Sequence, residues 1–229
     1  DREDLLPRER ARHEADLRGE LNVLWQTDFL RPARPTVVDE VERGLSIMPR
    51  LWEAVPEVYE SLRRGLEAWY PGEKIQIPAF LTFGSWMGGD RDGNPFVTAD
   101  ITERTLLRLR EAAIDRHLEW CNRLAELLTI SLRTSGGAQP LATRLAELAA
   151  RWPELAAILR DAAPNEAYRC WIRMIRFRLE QSRTAALDEP PRPCAYATGH
   201  ELAQDVGLLV DCLQADHGLS VDSAARRWL

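Results

Sequence analysis

The sequence predicts a mainly α-helical chain, and three observations predict it. Apolar residues recur at helical spacing along most of the length, prolines and glycines punctuate these runs, and a single short segment alternates like a strand. From about Arg8 to Leu30, Leu17, Leu21, Val23 and Leu24 fall among Arg and Glu, the spacing of an amphipathic helix that Pro32 and Pro35 end. Thr36 followed by Asp39 reads as an N-cap with an acid three residues on. The helix it opens turns Val41, Leu45, Met48, Trp52 and Val55 to a core. Pro56 kinks or restarts that helix, and Val58, Leu62, Leu66 and Trp69 continue the stripe. Tyr70-Pro71-Gly72 is a turn. Ile75, Ile77, Ala79, Leu81 and Phe83 then alternate with Gln76, Pro78 and Thr82, which predicts a strand, and Pro78 places it at an edge or a strand start. Asp100 with Glu103 caps a long helix to about Leu132, with Ile101, Leu109, Ala113, Cys121, Leu124 and Leu128 inward, and Ser135-Gly136-Gly137 breaks it. Shorter helices cover Leu141 to Trp152, Pro153 to Asp161, Glu166 to Ala186 and His200 to His217, while Glu189 to Pro193 is a loop. An isolated strand cannot satisfy its own backbone groups. The expected organisation is therefore a single partial domain over 1–229: helical over 1–70, strand plus glycine-rich loop over 71–97, helical over 98–229.

Composition narrows the function. The chain has 229 residues, 45% of them apolar, enough for a sizeable core. A net charge of −6 argues against a nucleic-acid binder, which normally carries a basic face. Lys74 is the only lysine among 30 basic residues, a bias that reads as genome composition because most Arg fall at exposed helical positions. No stretch reaches the roughly 18–20 apolar residues of a membrane helix, and the start shows no apolar signal region. Cys121, Cys170, Cys194 and Cys212 share no CxxC spacing and read as reduced thiols of a cytoplasmic protein. The absence of an initiator Met reads as a piece of a longer polypeptide.

The chemistry concentrates in Gly84-Ser85-Trp86-Met87-Gly88-Gly89-Asp90-Arg91-Asp92-Gly93-Asn94-Pro95. Glycines let backbone approach a ligand closely, and an Arg beside free N–H groups is a common way to hold phosphate or carboxylate. Arg91 is expected to bind an anionic substrate and Trp86 to wall off water, with the Gly88 and Gly89 amides lining the pocket. Asp90, Asp92 and Asn94 are expected to hold the loop, together with Gly88 and Gly89, and to orient Arg91. The competing reading is a purely structural turn before a helix. Other sites fail on spacing. An EF-hand starting at Asp90 would need Gly where Pro95 stands and Glu where Ile101 stands. No Gly-Lys-Ser/Thr follows the glycines, so there is no P-loop. His13, His117, His200 and His217 are too scattered for a metal site or a triad and read as helix-surface or helix-end residues. Along Tyr168 to Leu179, Arg169, Arg173 and Arg176 form one stripe, read as a solvated face.

Read as GSWMGGDRDGNPFVT, Gly84 to Thr98 closely resembles a signature segment of the phosphoenolpyruvate carboxylase family. Agreement extends upstream through Trp25-Gln26-Thr27-Asp28, Arg34-Pro35-Thr36, Asp39-Glu40, Arg43-Gly44 and Leu51-Trp52. Downstream it takes in Ala99-Asp100-Ile101-Thr102, Tyr168-Arg169, Arg176 and Leu179. The resemblance implies the helical portion of a (β/α)8 barrel carboxylase with one or two barrel strands. It implies a cytoplasmic homotetramer that needs Mg2+ or Mn2+ and converts phosphoenolpyruvate and bicarbonate to oxaloacetate and phosphate. The residue matching Trp86 would lie at the barrel mouth near the substrates, where loops at the C-terminal strand ends carry active sites. The family's catalytic His, in a Thr-Ala-His-Pro-Thr-type motif, its Gly-Arg-Gly-Gly loop, its catalytic lysine and its acidic metal ligands have no match here. The resemblance therefore implies one wall of an active site, inactive alone. The alternative is a non-catalytic helical protein of the same descent that binds anions or partners. A His-Pro motif upstream and a Gly-Arg-Gly-Gly loop downstream in the reading frame would favour the enzyme.

Overall fold

A computed structural model describes residues 6–27, 35–73, 75–133, 136–160, 165–183, 187 and 190–216. Among them all regular structure is helical, in two compact units, Asp1–Thr36 and Val37–Leu229. The first unit holds α1 (Pro7–Gln26), with Pro7 in its first turn and no buried residue. Its start is tied by the Leu6 amide donating to Glu9 Oε2 at 3.0 Å. It stops at Thr27, whose hydroxyl donates back to Val23 O at 2.6 Å, and the prolines expected to end it begin at Pro32, outside the described residues.

The second unit contains α2 (Val37–Leu45), α3 (Met48–Trp69), α4 (Ala99–Leu127), α5 (Gln139–Arg151), α6 (Pro153–Arg160), α7 (Ala167–Arg183) and α8 (Gly199–Ala215). Helix α7 is central and packs against α4, α5, α6 and α8. Its sequence explains this: Tyr168, Cys170, Trp171, Ile172, Met174, Ile175, Phe177 and Leu179 cover most of its circumference, and a helix apolar on nearly all sides buries itself. Two of its polar atoms are satisfied at depth. Trp171 Nε1 donates to Asp205 O at 2.8 Å and the Tyr168 hydroxyl to Asp216 Oδ2 at 2.5 Å. Leu128, Leu141, Leu155, Leu209 and Leu213 complete the core. On the flank of α4, α2 packs through Val37 and Val41, and Arg108 ties the pair by donating to Glu42 Oε1 at 2.7 Å.

The mainly helical class and the four later helices match expectation within a few residues. Three expectations need correction. Ile75–Phe83 is not a strand: no ladder forms among the described residues. The amides of Phe80 and Leu81 instead reach the Tyr59 hydroxyl of α3, at 2.8 and 3.2 Å, and the Phe80 ring packs on Tyr59 with centroids 4.6 Å apart. Alternation reports two faces, but a ladder needs a partner backbone. The second correction concerns Pro56, expected to kink or restart the helix: it does not restart one, since α3 runs through it. The break comes at Ser46–Ile47, where Ser46 Oγ donates to Arg43 O at 2.6 Å and Pro49 opens the next helix. Third, α4 starts at Ala99 after an extended Thr98, so Asp100 lies in the first turn and is not the cap; there its charge faces the positive end of the helix. In α7 the arginine stripe lies opposite the buried apolar stripe, with Arg169 and Arg173 half-buried. Only Arg176 of its arginine stripe is exposed, while Arg178, off that stripe, is buried.

Candidate functional site

The segment Gly84–Val97 folds as two linked turns ahead of α4. In the first, Gly89 N and Asp90 N both donate to Trp86 O at 2.9 Å, with Gly88 at φ +70°. In the second, Asn94 N donates to Arg91 O at 3.1 Å, with Gly93 at φ +71°. Positive φ is strained for any residue with a Cβ, which is why glycine occupies both places. Two side chains brace the turns: Asp90 Oδ1 accepts from Asp92 N at 3.1 Å, and Asn94 Oδ1 accepts from Phe96 N at 3.0 Å. Both are Asx turns, the local bonding that suits Asp and Asn to loops. Val97 is buried and pins the far end.

The loop is also seated from below. Gly88 is buried, and its carbonyl accepts from Thr102 Oγ1 at 2.7 Å. Thr105 stands against its Cα, and the Met87 side chain fills the space beside Gly44 at the end of α2. Sequence reading missed Thr102, Thr105, Gly44 and Met87 as loop supports. Two threonines three apart in a helix give no local signal, because their partner is the tertiary approach of Gly88.

Trp86 and Arg91 project from this seat. The indole is 80% exposed. Arg91 is exposed, and the expectation that Asp90, Asp92 and Asn94 orient it needs correction: Asp90 and Asn94 accept from backbone amides, and among the described residues no acid pairs with Arg91. The expected lining by the Gly89 amide needs correction, because that N–H is already given to Trp86 O. The neighbouring amides of Asp90 and Asp92 are likewise committed within the loop. A shallow open groove of about 540 Å³ lies at the end of α3, lined by Ser61, Leu62, Gly65, Leu66, Trp69 and Tyr70, and includes no loop residue.

Among the described residues no group of three His, Cys, Asp or Glu side chains could hold a metal ion. His117, expected at a helix surface, is instead tucked edge-on against Trp52, with ring centroids 4.7 Å apart, and burial pushes its pKa below the usual 6.5. Cys121, Cys170 and Cys212 are buried free thiols; burial raises that of Cys121 to about 12. No described helix is long and apolar enough to cross a membrane.

Comparison with known proteins places these features. The profile of the phosphoenolpyruvate carboxylase family matches residues 1–227. A protein described as phosphoenolpyruvate carboxylase from Roseiflexus castenholzii is 35% identical over 220 residues, covering 92% of this chain and 24% of the relative. One from Xanthomonas campestris pv. campestris is 38% identical over 214 residues, covering 93% of this chain and 23% of the relative. Another, from Aromatoleum aromaticum, is 40% identical over 224 residues, covering 94% of this chain and 24% of the relative. The chain thus spans about a quarter of the length of the curated relatives it matches.

Proposed function

The chain belongs to the phosphoenolpyruvate carboxylase family, and we propose that it is one segment of an enzyme joining phosphoenolpyruvate to bicarbonate to give oxaloacetate and phosphate. In this reading the helices pack outside a (β/α)8 barrel supplied by the rest of a full-length, cytoplasmic, tetrameric polypeptide, and Gly84–Pro95 forms one wall of the substrate pocket. Metal-assisted chemistry, with Mg2+ or Mn2+, would belong to the parts of the enzyme outside this chain, and the segment alone would not turn over.

One observation carries the reading: an exposed guanidinium, unpaired with acid among the described residues, stands on a loop whose Gly89, Asp90 and Asp92 amides and Asp90 carboxylate are engaged internally. A loop built only to cap α4 has no use for such a group. Phosphoenolpyruvate carries both phosphate and carboxylate, and an Arg fork binds either with two parallel N–H···O bonds. When the phosphoryl group passes from the enol oxygen to an oxygen of bicarbonate, giving carboxyphosphate, charge develops on an enolate, and a fixed cation stabilises developing oxyanions. The enolate must then meet the carboxyl carbon before it meets a proton from water. An indole over the pocket supports that order by excluding solvent. The exposure of Phe83, Trp86 and Phe96 agrees with a surface that further protein covers.

The test is Arg91→Ala in the full-length polypeptide carrying this segment, with oxaloacetate formation followed. Removing one charge-assisted contact to the reacting group is expected to lower turnover by roughly 10²–10³-fold, with thermal stability little changed because the side chain is exposed. Undiminished turnover would refute the assignment.

A further inference from the structure

The Trp86–Arg91 turn is a single hydrogen-bonded unit with one buried point of attachment. Trp86 O accepts from Gly89 N and Asp90 N, so the indole-bearing residue and the approach to Arg91 move together. The attachment is Gly88. Its carbonyl accepts from Thr102 Oγ1 at 2.7 Å, while the same hydroxyl lies 3.1 Å from Thr98 O within α4. A hydroxyl has one proton, and the shorter contact claims it. One turn further, Thr105 Oγ1 is bound back to Ile101 O at 2.7 Å, so this residue offers Gly88 a wall and not a donor. A Cβ on Gly88 would come within 2.1 Å of that Oγ1 and 2.8 Å of the Thr105 Cβ. Residues three apart share a helix face, so α4 presents a donor and a stop side by side. A second strut, Met87 beside Gly44, ends in a flexible thioether that can swing aside and fixes the turn less firmly.

We propose that Thr102 is the positioning residue of the substrate loop: its hydroxyl, through Gly88 O, sets where Trp86 and Arg91 stand. The assignment rests on the function proposed above and adds a residue that touches no substrate. Geometry errors of about 1 Å remote from the chemistry can cost about 10²-fold in rate, so loss of this bond matters out of proportion to its strength.

The experiment pairs Thr102→Val, which keeps the shape and removes the donor, with Thr102→Ser, which restores it. Hydrogen exchange is read on the amides of Gly89, Asp90, Asn94 and Phe96, and separately on the amides of α4. Thr102→Val is expected to speed loop exchange by roughly two- to tenfold, the effect of one hydrogen bond, to leave α4 amides within about twofold, and to be reversed by Thr102→Ser. In the full-length polypeptide the same variant is expected to lower kcat about tenfold or more with a smaller change in KM, again rescued by Ser. Positioning by Thr102 is overturned if loop exchange matches wild type, if α4 accelerates as much as the loop, or if kcat holds while the loop loosens. The functional reading fails separately, by Arg91→Ala keeping full turnover, whatever Thr102 does.

Discussion

The glycines of the loop look alike in sequence and differ sharply in space. Gly88 has φ +70° and a neighbour where its Cβ would be; Gly93 has φ +71° and nothing within 4 Å; Gly89 has no positive φ, and a Cβ there would meet only Trp86 O at 3.7 Å. These facts predict a graded series of alanine substitutions. Gly93→Ala carries the left-handed backbone cost alone, roughly 1–2 kcal/mol. Gly88→Ala adds overlap with Thr105, about 1–3 kcal/mol more. Gly89→Ala is expected to be nearly neutral. Urea midpoints of the three variants check the order, and a Gly89→Ala loss equal to that of Gly88→Ala would contradict the loop geometry. Sequence reading found the loop and named Asp90, Asp92 and Asn94 as its braces; Asp90 and Asn94 serve as such because Asx turns are local chemistry, whereas Asp92 takes part through its backbone amide. It could not rank the glycines, since what separates Gly88 from Gly89 is a threonine on another element.

Among elements, α7 shows where periodicity stops informing. Arg169, Arg173 and Arg176 fall on one stripe, and from spacing alone the helix could as well lie on the surface. Arg178 falls among the apolar residues and is buried, where it ties α7 to α8. Its Nη1 donates to Asp205 Oδ2 at 2.7 Å and its Nη2 to Glu201 Oε2 at 2.6 Å, both on α8. The guanidinium lies 3.9 Å from the Tyr196 ring centroid, and the Tyr196 hydroxyl donates to the same Asp205 oxygen at 2.8 Å. Burial, and then the Asp205 charge, drive the Tyr196 pKa far upward, so this phenol stays a donor. Arg178→Ala leaves Asp205 facing Tyr196 without its cation, and losing one partner of a buried pair costs about 3–5 kcal/mol. Arg178→Lys keeps the charge but cannot fork to two carboxylates, so it is expected to fall between wild type and alanine. Equilibrium unfolding in urea measures both, and a lysine variant as stable as wild type would show that charge alone suffices. The misread strand at Ile75–Phe83 has the same origin. Its alternation is real, but whether amides pair with a strand or with Tyr59 depends on what lies beside them.

Across the larger unit, helix existence was legible because amphipathic stripes and proline punctuation are written locally. Which helix lies at the centre was not, because it depends on all the other faces at once. The same distinction separates its ionisable groups by pH. Glu42 is held below the usual 4.5 by its bond to Arg108, Glu60 by Arg63 and Arg64, and Glu111 by Arg183 and Arg108. These pairs lie at the surface, half exposed to water, and are therefore weak, screened by salt, and lost only as pH falls below 4.5. His117 acts in a different window and through burial. Its folded pKa lies below 6.5, so between that value and 6.5 the unfolded chain binds the extra proton. Stability must then rise with pH across this interval, by at most about 1.4 kcal/mol per pH unit for one group. The contribution is complete above pH 6.5 and is lost as pH falls through 6.5 toward the folded value. His117→Phe preserves a ring against Trp52 and removes the titration. Thermal midpoints from pH 8 to 5 are expected to fall on the acid side of 6.5 in wild type and to flatten in the variant, in 0.15 M and 1 M salt alike. Persistence of the full wild-type decline in His117→Phe would show that the acid sensitivity of this unit arises elsewhere than the Trp52–His117 contact.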